Sequence, residues 1–185
     1  MTQPKSKLKF TVKDYMSTPE GTRYQLLDGE MILAPSPTQK NQSLLANLYR
    51  LVYGFVAEAE LGRVWFAPLD VVLSNNDVAQ PDLMFVSNER AEIVTEANIQ
   101  GAPDLVVEIL SPSTAGYDQG YKRALYARHG VREYWLVDPE AETVEVLVLS
   151  DEYLSSHRVF GTSETLESPI LEGLSLELGD LFRGS

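Results

Sequence analysis

The chain has no cysteine, and its 185 residues include only two histidines, His129 and His157. Without cysteine there is no disulfide framework, no thiolate metal site and no thiol nucleophile. Two isolated histidines do not furnish a histidine-rich zinc centre, and both read as structural. No stretch approaches the roughly 20 apolar residues needed to cross a bilayer. A Gly-rich phosphate loop and a G-x-S-x-G nucleophile turn are also missing, which removes two common routes to phosphate binding and acyl transfer. The opening "MTQPKSKLKFTVKDY" is polar and basic and has no signal-like apolar run, so a cytoplasmic location is expected. Basic residues are in the minority, 15 against 27 acidic, for a formal charge of −12. Bulk electrostatics therefore repel nucleic acid, and any such partner needs a local basic patch or a bound cation.

What is present is an ordinary globular balance, 44% hydrophobic and 23% charged, with enough residues to bury a core without staples. Residues 1–10 read as a loose arm and 11–185 as one domain. "TVKDYMST" predicts a short helix, with Thr11 as N-cap and Asp14 closing a capping box. "RYQLLDGEMILAPSP" predicts a hairpin turning on Asp28-Gly29, a dipeptide that supplies the positive φ angles of a type I′ turn. Residues 39–60 carry Leu44, Leu45, Leu48, Val52 and Val56 at helical spacing, with Thr38 as cap and Gly62 as stop. "RVWFAPLDVVL" reads as a strand bent at Pro68, and "AQPDLMFVS" as another. "DLVVEILS" at 104–111 is a further strand, 115–129 a helix ended by Gly130, and "VREYWLVD" and "TVEVLVLS" two strands joined at Asp138-Pro139. The tail predicts one or two more strands. The expectation is a mixed α/β (α+β) chain with two long helices among roughly eight strands.

Acidic residues occupy positions where burial is costly. Glu108 lies inside "DLVVEILSPS", sharing a strand face with Val106 and Leu110, and burying a lone carboxylate there costs several kcal/mol, roughly the ionic desolvation penalty. Asp82 opens "PDLMFV", and Glu30 follows the Asp-Gly turn. If the strands of Asp82 and Glu108 are neighbours, the two carboxylates meet, and carboxylates so close repel unless one is protonated or a cation lies between them. Mg²⁺ or Mn²⁺ suits oxygen-only ligands and bridges them to phosphate. Downstream, Asp118, Lys122 and Tyr126 recur at i, i+4 and i+8 on roughly one helix face. A lysine there can reach the strand end, orient or deprotonate a water, and stabilise charge on phosphate. The competing reading for Glu108 is a structural ion pair with Lys122 or Arg123, and for Asp118 and Lys122 a solvated helix face.

The segments "YQLLDGEMILAPSP", "QPDLMFV" and "GAPDLVVEILSPSTAGYDQGYKRALYARHGVREYWLVDP" resemble the Uma-type family, formerly a domain of unknown function. Its members are called restriction endonucleases by fold and motif, within the PD-(D/E)XK nuclease superfamily. The resemblance spans about residues 11–180. It implies a restriction-endonuclease-like core, a mixed central sheet flanked by helices, with divalent metal held by an aspartate and a D/E-x-K triplet. Asp82 matches the first acid and Glu108 the second, which makes these two the implied metal ligands. The triplet reads Glu108-Ile109-Leu110, so a leucine stands where lysine is usual. Lys122 on the following helix matches a migrated lysine, and Glu30 an additional upstream acid.

The resemblance thus implies a Mg²⁺- or Mn²⁺-dependent endonuclease acting on DNA through Glu30, Asp82, Glu108 and Lys122. Double-strand cutters commonly pair two sites, which leaves room for a homodimer. The alternative is a non-catalytic interaction or nucleic-acid-binding module on a retained nuclease fold. A two-carboxylate glycoside hydrolase is disfavoured by the lysine.

Overall fold

A computed structural model describes residues 8–19, 21 and 23–184. The N-terminal arm expected over 1–10 lies largely outside those residues. At its described end, Lys9 pairs with Asp28, and the Phe10 N–H donates to Gly29 O at 2.9 Å.

Helix α1 (Val12–Tyr15) has the Thr11/Asp14 capping box its sequence predicts. Strands β1 (Tyr24–Leu27) and β2 (Glu30–Leu33) form the hairpin. Both turn residues, Asp28 (φ 51°) and Gly29 (φ 73°), take the left-handed angles that a type I′ turn requires. Helix α2 (Gln39–Glu58) is capped by the Thr38 side chain. Its stop differs from expectation: the chain leaves the helix at Glu60 (φ 53°). Gly62 serves another purpose, since a Cβ there would lie 2.2 Å from the Val86 carbonyl oxygen.

The stretch expected as one strand bent at Pro68 is two strands in different sheets, β3 (Gly62–Phe66) and β4 (Val71–Ser74). The next expected strand is likewise split into β5 (Asp77–Ala79) and β6 (Leu83–Ser87), with Pro81 between them. A proline has no N–H to give a ladder, so each marks the point where the chain changes sheets. After a 3₁₀ segment (Asn88–Ile93) come β7 (Ile99–Gln100) and β8 (Leu105–Ile109). A π-helical turn (Tyr117–Lys122) runs into α3 (Arg123–His129), which ends at Gly130 (φ 85°) as expected. Strands β9 (Glu133–Asp138), β10 (Thr143–Ser150) and β11 (Tyr153–Gly161) form a meander. The short β12 (Thr165–Glu167), β13 (Ser175–Glu177) and α4 (Leu178–Leu181) finish the chain. The strands outnumber the expected eight because several are three residues or shorter.

Three sheets result: β2-β1-β5-β4-β7, β11-β10-β9-β8-β6-β3, and the β12-β13 pair. Within the six-stranded sheet, β8 and β9 are parallel and their neighbours antiparallel. A parallel pair needs a crossover, and the 115–129 helix supplies it. This sheet is covered on both faces. Leu83, Phe85, Leu105, Val107 and Trp135 pack with α2 and the tail. Met84, Val86, Val106, Leu110 and Tyr134 pack with α3 and the five-stranded sheet. Every residue of β8 is therefore buried, Glu108 included, on the α3 face. Among the described residues no helix is long and apolar enough to cross a membrane.

Candidate active site at the end of strand β8

The β6–β8 register, Leu83 opposite Val107, puts Asp82 beside Glu108 one step further along. The sequence required these strands to be neighbours for the two acids to meet, and they are. Asp82 stands at the sheet change after Pro81, half-buried, with Oδ2 accepting the Ile109 N–H at 2.7 Å. Glu108 is 3% exposed.

The crossover helix lays Lys122 directly over Glu108. Its Nζ is 2.9 Å from Glu108 Oε1 and 3.0 Å from Asp118 Oδ1. Lys122 is 3% exposed and Asp118 1%, so neither is a solvated helix-face residue. Tyr126 donates its hydroxyl to the same Glu108 Oε1 at 2.8 Å, and Tyr134 donates to the Asp118 carbonyl at 3.1 Å. The π turn explains how three helix residues share so narrow a target. Four positions along an α-helix rotate a side chain by about +40°, and four along the wider π turn by about −30°. One π step from Asp118 to Lys122 and one α step to Tyr126 nearly cancel, bringing all three into line.

Burial dominates the electrostatics. It lifts Glu108 to about 8, against the lowering pull of Lys122, with Asp118 and Asp82 pushing the same way as burial. It lifts Asp82 to about 6, opposed by the Ile109 N–H and Lys122. Burial alone would strip the Lys122 proton, but Glu108 and Asp118 overcome it and hold the ammonium charged. Lys122 is thus placed to donate hydrogen bonds and orient a water rather than to take a proton. Burial and the neighbouring Glu108 hold the Tyr126 hydroxyl protonated, as a donor to that carboxylate must be.

Three carboxylates face one ammonium, so the cluster is short of positive charge. Both donors to Glu108 use Oε1 and the Ile109 N–H uses Asp82 Oδ2. Glu108 Oε2 and Asp82 Oδ1 accept no hydrogen bond among the described residues. This fits a hard divalent cation held by two carboxylates, the remaining positions going to water and phosphate oxygens, as Mg²⁺ prefers. No cluster of three metal-binding side chains occurs among the described residues. Glu30 sits exposed on β2, the outer strand of the five-stranded sheet, and is not among the groups acting on Glu108, Asp82 or Lys122. Sequence spacing put Tyr126 on the lysine's face but gave no sign of its bond to Glu108. Tyr134, buried on β9, is also a hydrogen-bond donor to the π turn.

A mixed sheet with paired acids at its strand ends, and a lysine brought over them by the crossover helix, is a nuclease-type fold. The chain belongs to the Uma2 family, described as "Putative restriction endonuclease", whose match covers residues 12–179. It is similar to the uncharacterised protein slr1290 of Synechocystis sp., 27% identical over 182 residues, 95% of this chain and 93% of that one. In fold it is similar to the crystal structure of "a putative nuclease belonging to DUF820" from Anabaena variabilis ATCC 29413. The TM-score is 0.79 at 22% identity, covering 94% of this chain and 97% of that one. At that identity the likeness speaks to fold.

Proposed function

We propose that the protein hydrolyses DNA phosphodiester bonds in a reaction that depends on Mg²⁺ or Mn²⁺. The observation that carries this reading is the pair of uncommitted oxygens, Asp82 Oδ1 and Glu108 Oε2, on facing positions of neighbouring strands with a charged lysine against Glu108. A divalent cation held by Asp82 and Glu108 supplies Lewis acidity toward a phosphoryl oxygen. Lys122 has three donors, two of which face Glu108 and Asp118. The third is left to orient a water or to bind a non-bridging phosphate oxygen as negative charge develops. Asp118 and Tyr126 hold Lys122 and Glu108 in place. Glu30, exposed on β2, is assigned an auxiliary role toward substrate.

Incubating the protein with supercoiled plasmid and Mn²⁺ tests this reading. Wild type is expected to nick the plasmid, and Glu108→Ala and Lys122→Met to lose at least about a hundredfold in rate, the scale for removing one transition-state group. Equal nicking by all three proteins would assign the activity to a contaminant. The closed Glu108–Lys122 pair at 2.9 Å favours one other reading, a non-catalytic module in which the pair is structural. That module would melt at lower temperature when either partner is replaced and would show no Mn²⁺-dependent nicking.

A further inference from the structure

Outside the acidic cluster, the surface next to it carries an arrangement that the core does not require. Tyr49 and Tyr53 of α2 stack with ring centroids 5.2 Å apart, and Phe66 of β3 meets Tyr49 edge-on at 4.8 Å. Two of these rings are wasted as core, since Tyr53 is 48% exposed and Phe66 49%. Arg50, one helical turn from Tyr53, is exposed beside them, and Arg63 is exposed on the other face of the edge strand β3. A groove of about 340 Å³ between α2 and β3 continues the strip, lined by Tyr53, Arg63 and Trp65 among others.

The strip's place in the fold matters most. Phe66 is opposite Leu83, one step from Asp82, and the Ala67 N–H donates to the Asp82 carbonyl at 3.0 Å. The row Ala67, Asp82, Glu108 therefore runs from the sheet's outer edge to the acids. Only two strand spacings, about 10 Å, separate β3 from β8. The rings lie on the α2 face and the acids on the α3 face, so a chain passing from one to the other rounds the open edge of β3.

We propose that Tyr53 and Phe66, with Arg50 and Arg63, form a stacking platform for unpaired bases of a nucleic-acid strand whose backbone lies at Asp82 and Glu108. The inference rests on the nuclease reading above and narrows its substrate to DNA with single-stranded character. A base has a π face that stacks on an exposed ring whatever its sequence, while Arg50 beside the rings and Arg63 on the far face of the edge strand meet the flanking phosphates. A paired duplex offers no free base faces to the strip.

Fluorescence anisotropy with a labelled 20-nucleotide oligothymidylate and a labelled duplex of equal length, in Ca²⁺ and in EDTA, tests the proposal. Wild type is expected to prefer the single strand. Tyr53→Ala with Phe66→Ala should weaken single-strand binding roughly tenfold or more, on the scale of base stacking. Tyr53→Phe, which keeps the ring, should bind as wild type, and the alanine variant should still take up Mn²⁺ at the paired acids. Should that variant fold poorly by circular dichroism, Arg50→Gln with Arg63→Gln must still weaken binding and flatten its salt dependence. Unchanged single-strand affinity in both double variants, with nicking intact, would overturn the platform and leave the nuclease reading standing. Sedimentation showing a wild-type dimer that the aromatic variant breaks, at unchanged oligonucleotide affinity, would give the strip to a second copy of the chain and also overturn it. If wild type neither nicks nor binds either probe, the nuclease reading itself fails.

Discussion

Glu108 occupies a position that a valine would fill more cheaply, and the cost shows in its surroundings. Its carboxylate needs Lys122 and Tyr126 on one oxygen, while Asp118 fixes the lysine in turn. Removing one partner of such a buried pair is typically worth about 3–5 kcal/mol, so Lys122→Met should lower the unfolding free energy by that order in urea titrations. Tyr126→Phe deletes a single buried hydrogen bond and should cost about 0.5–1.5 kcal/mol. The pH dependence follows from the raised carboxylates. Asp82 at about 6 and Glu108 at about 8 keep protons in the fold at pH values where the unfolded chain, at 3.8 and 4.5, has released them. The native state then binds more protons, so this contribution is fully present below about pH 4 and is lost as pH rises through 6 and 8. In EDTA the melting temperature of wild type should fall across that window, and that of Glu108→Gln should fall less. Mn²⁺ should restore wild type at pH 8, because a cation favours the ionised acids.

At the scale of elements, the crossover helix decides whether the cluster exists. Its two ends are glycines with opposite requirements. Gly130 holds φ 85° to turn the chain into β9, so Gly130→Ala should destabilise by about 1 kcal/mol or more. Gly116 has helical angles (φ −64°, ψ −36°), and a Cβ on it meets nothing within 4 Å. Gly116→Ala should therefore stabilise by about 0.4–1 kcal/mol in the same denaturation experiment. The helix's limits were legible because Gly130 and the apolar spacing announce them. The π turn was not, since it is the convergence of Asp118, Lys122 and Tyr126 on one carboxylate that requires it, and that is a tertiary fact. The hairpin was legible for a local reason, two turn residues that tolerate positive φ. The division of "RVWFAPLDVVL" and "AQPDLMFVS" between two sheets was not. Each reads as one β-rich run, and only the packing of two sheets against each other reveals that Pro68 and Pro81 are crossing points.

For the whole molecule, the adjacency of Asp82 and Glu108 was a conditional reading, and β6–β8 pairing met the condition. The exposed aromatic strip left no comparable trace in the sequence, because Tyr49, Tyr53 and Phe66 look like ordinary core aromatics until α2 and β3 are set side by side. A charge of −12 sets the remaining constraint. Nucleic acid approaching this surface gains little from bulk electrostatics, so productive binding should depend on a divalent cation at the paired acids. Isothermal titration calorimetry of metal-free protein with Mn²⁺ at pH 7.5 measures that cation site directly. Saturable binding of one ion per chain, abolished by Asp82→Asn and by Glu108→Gln while both variants remain folded, is the expected result. Wild-type protein that takes up no Mn²⁺, or binds it equally well without either acid, would contradict the reading of Asp82 and Glu108 as a metal-binding pair.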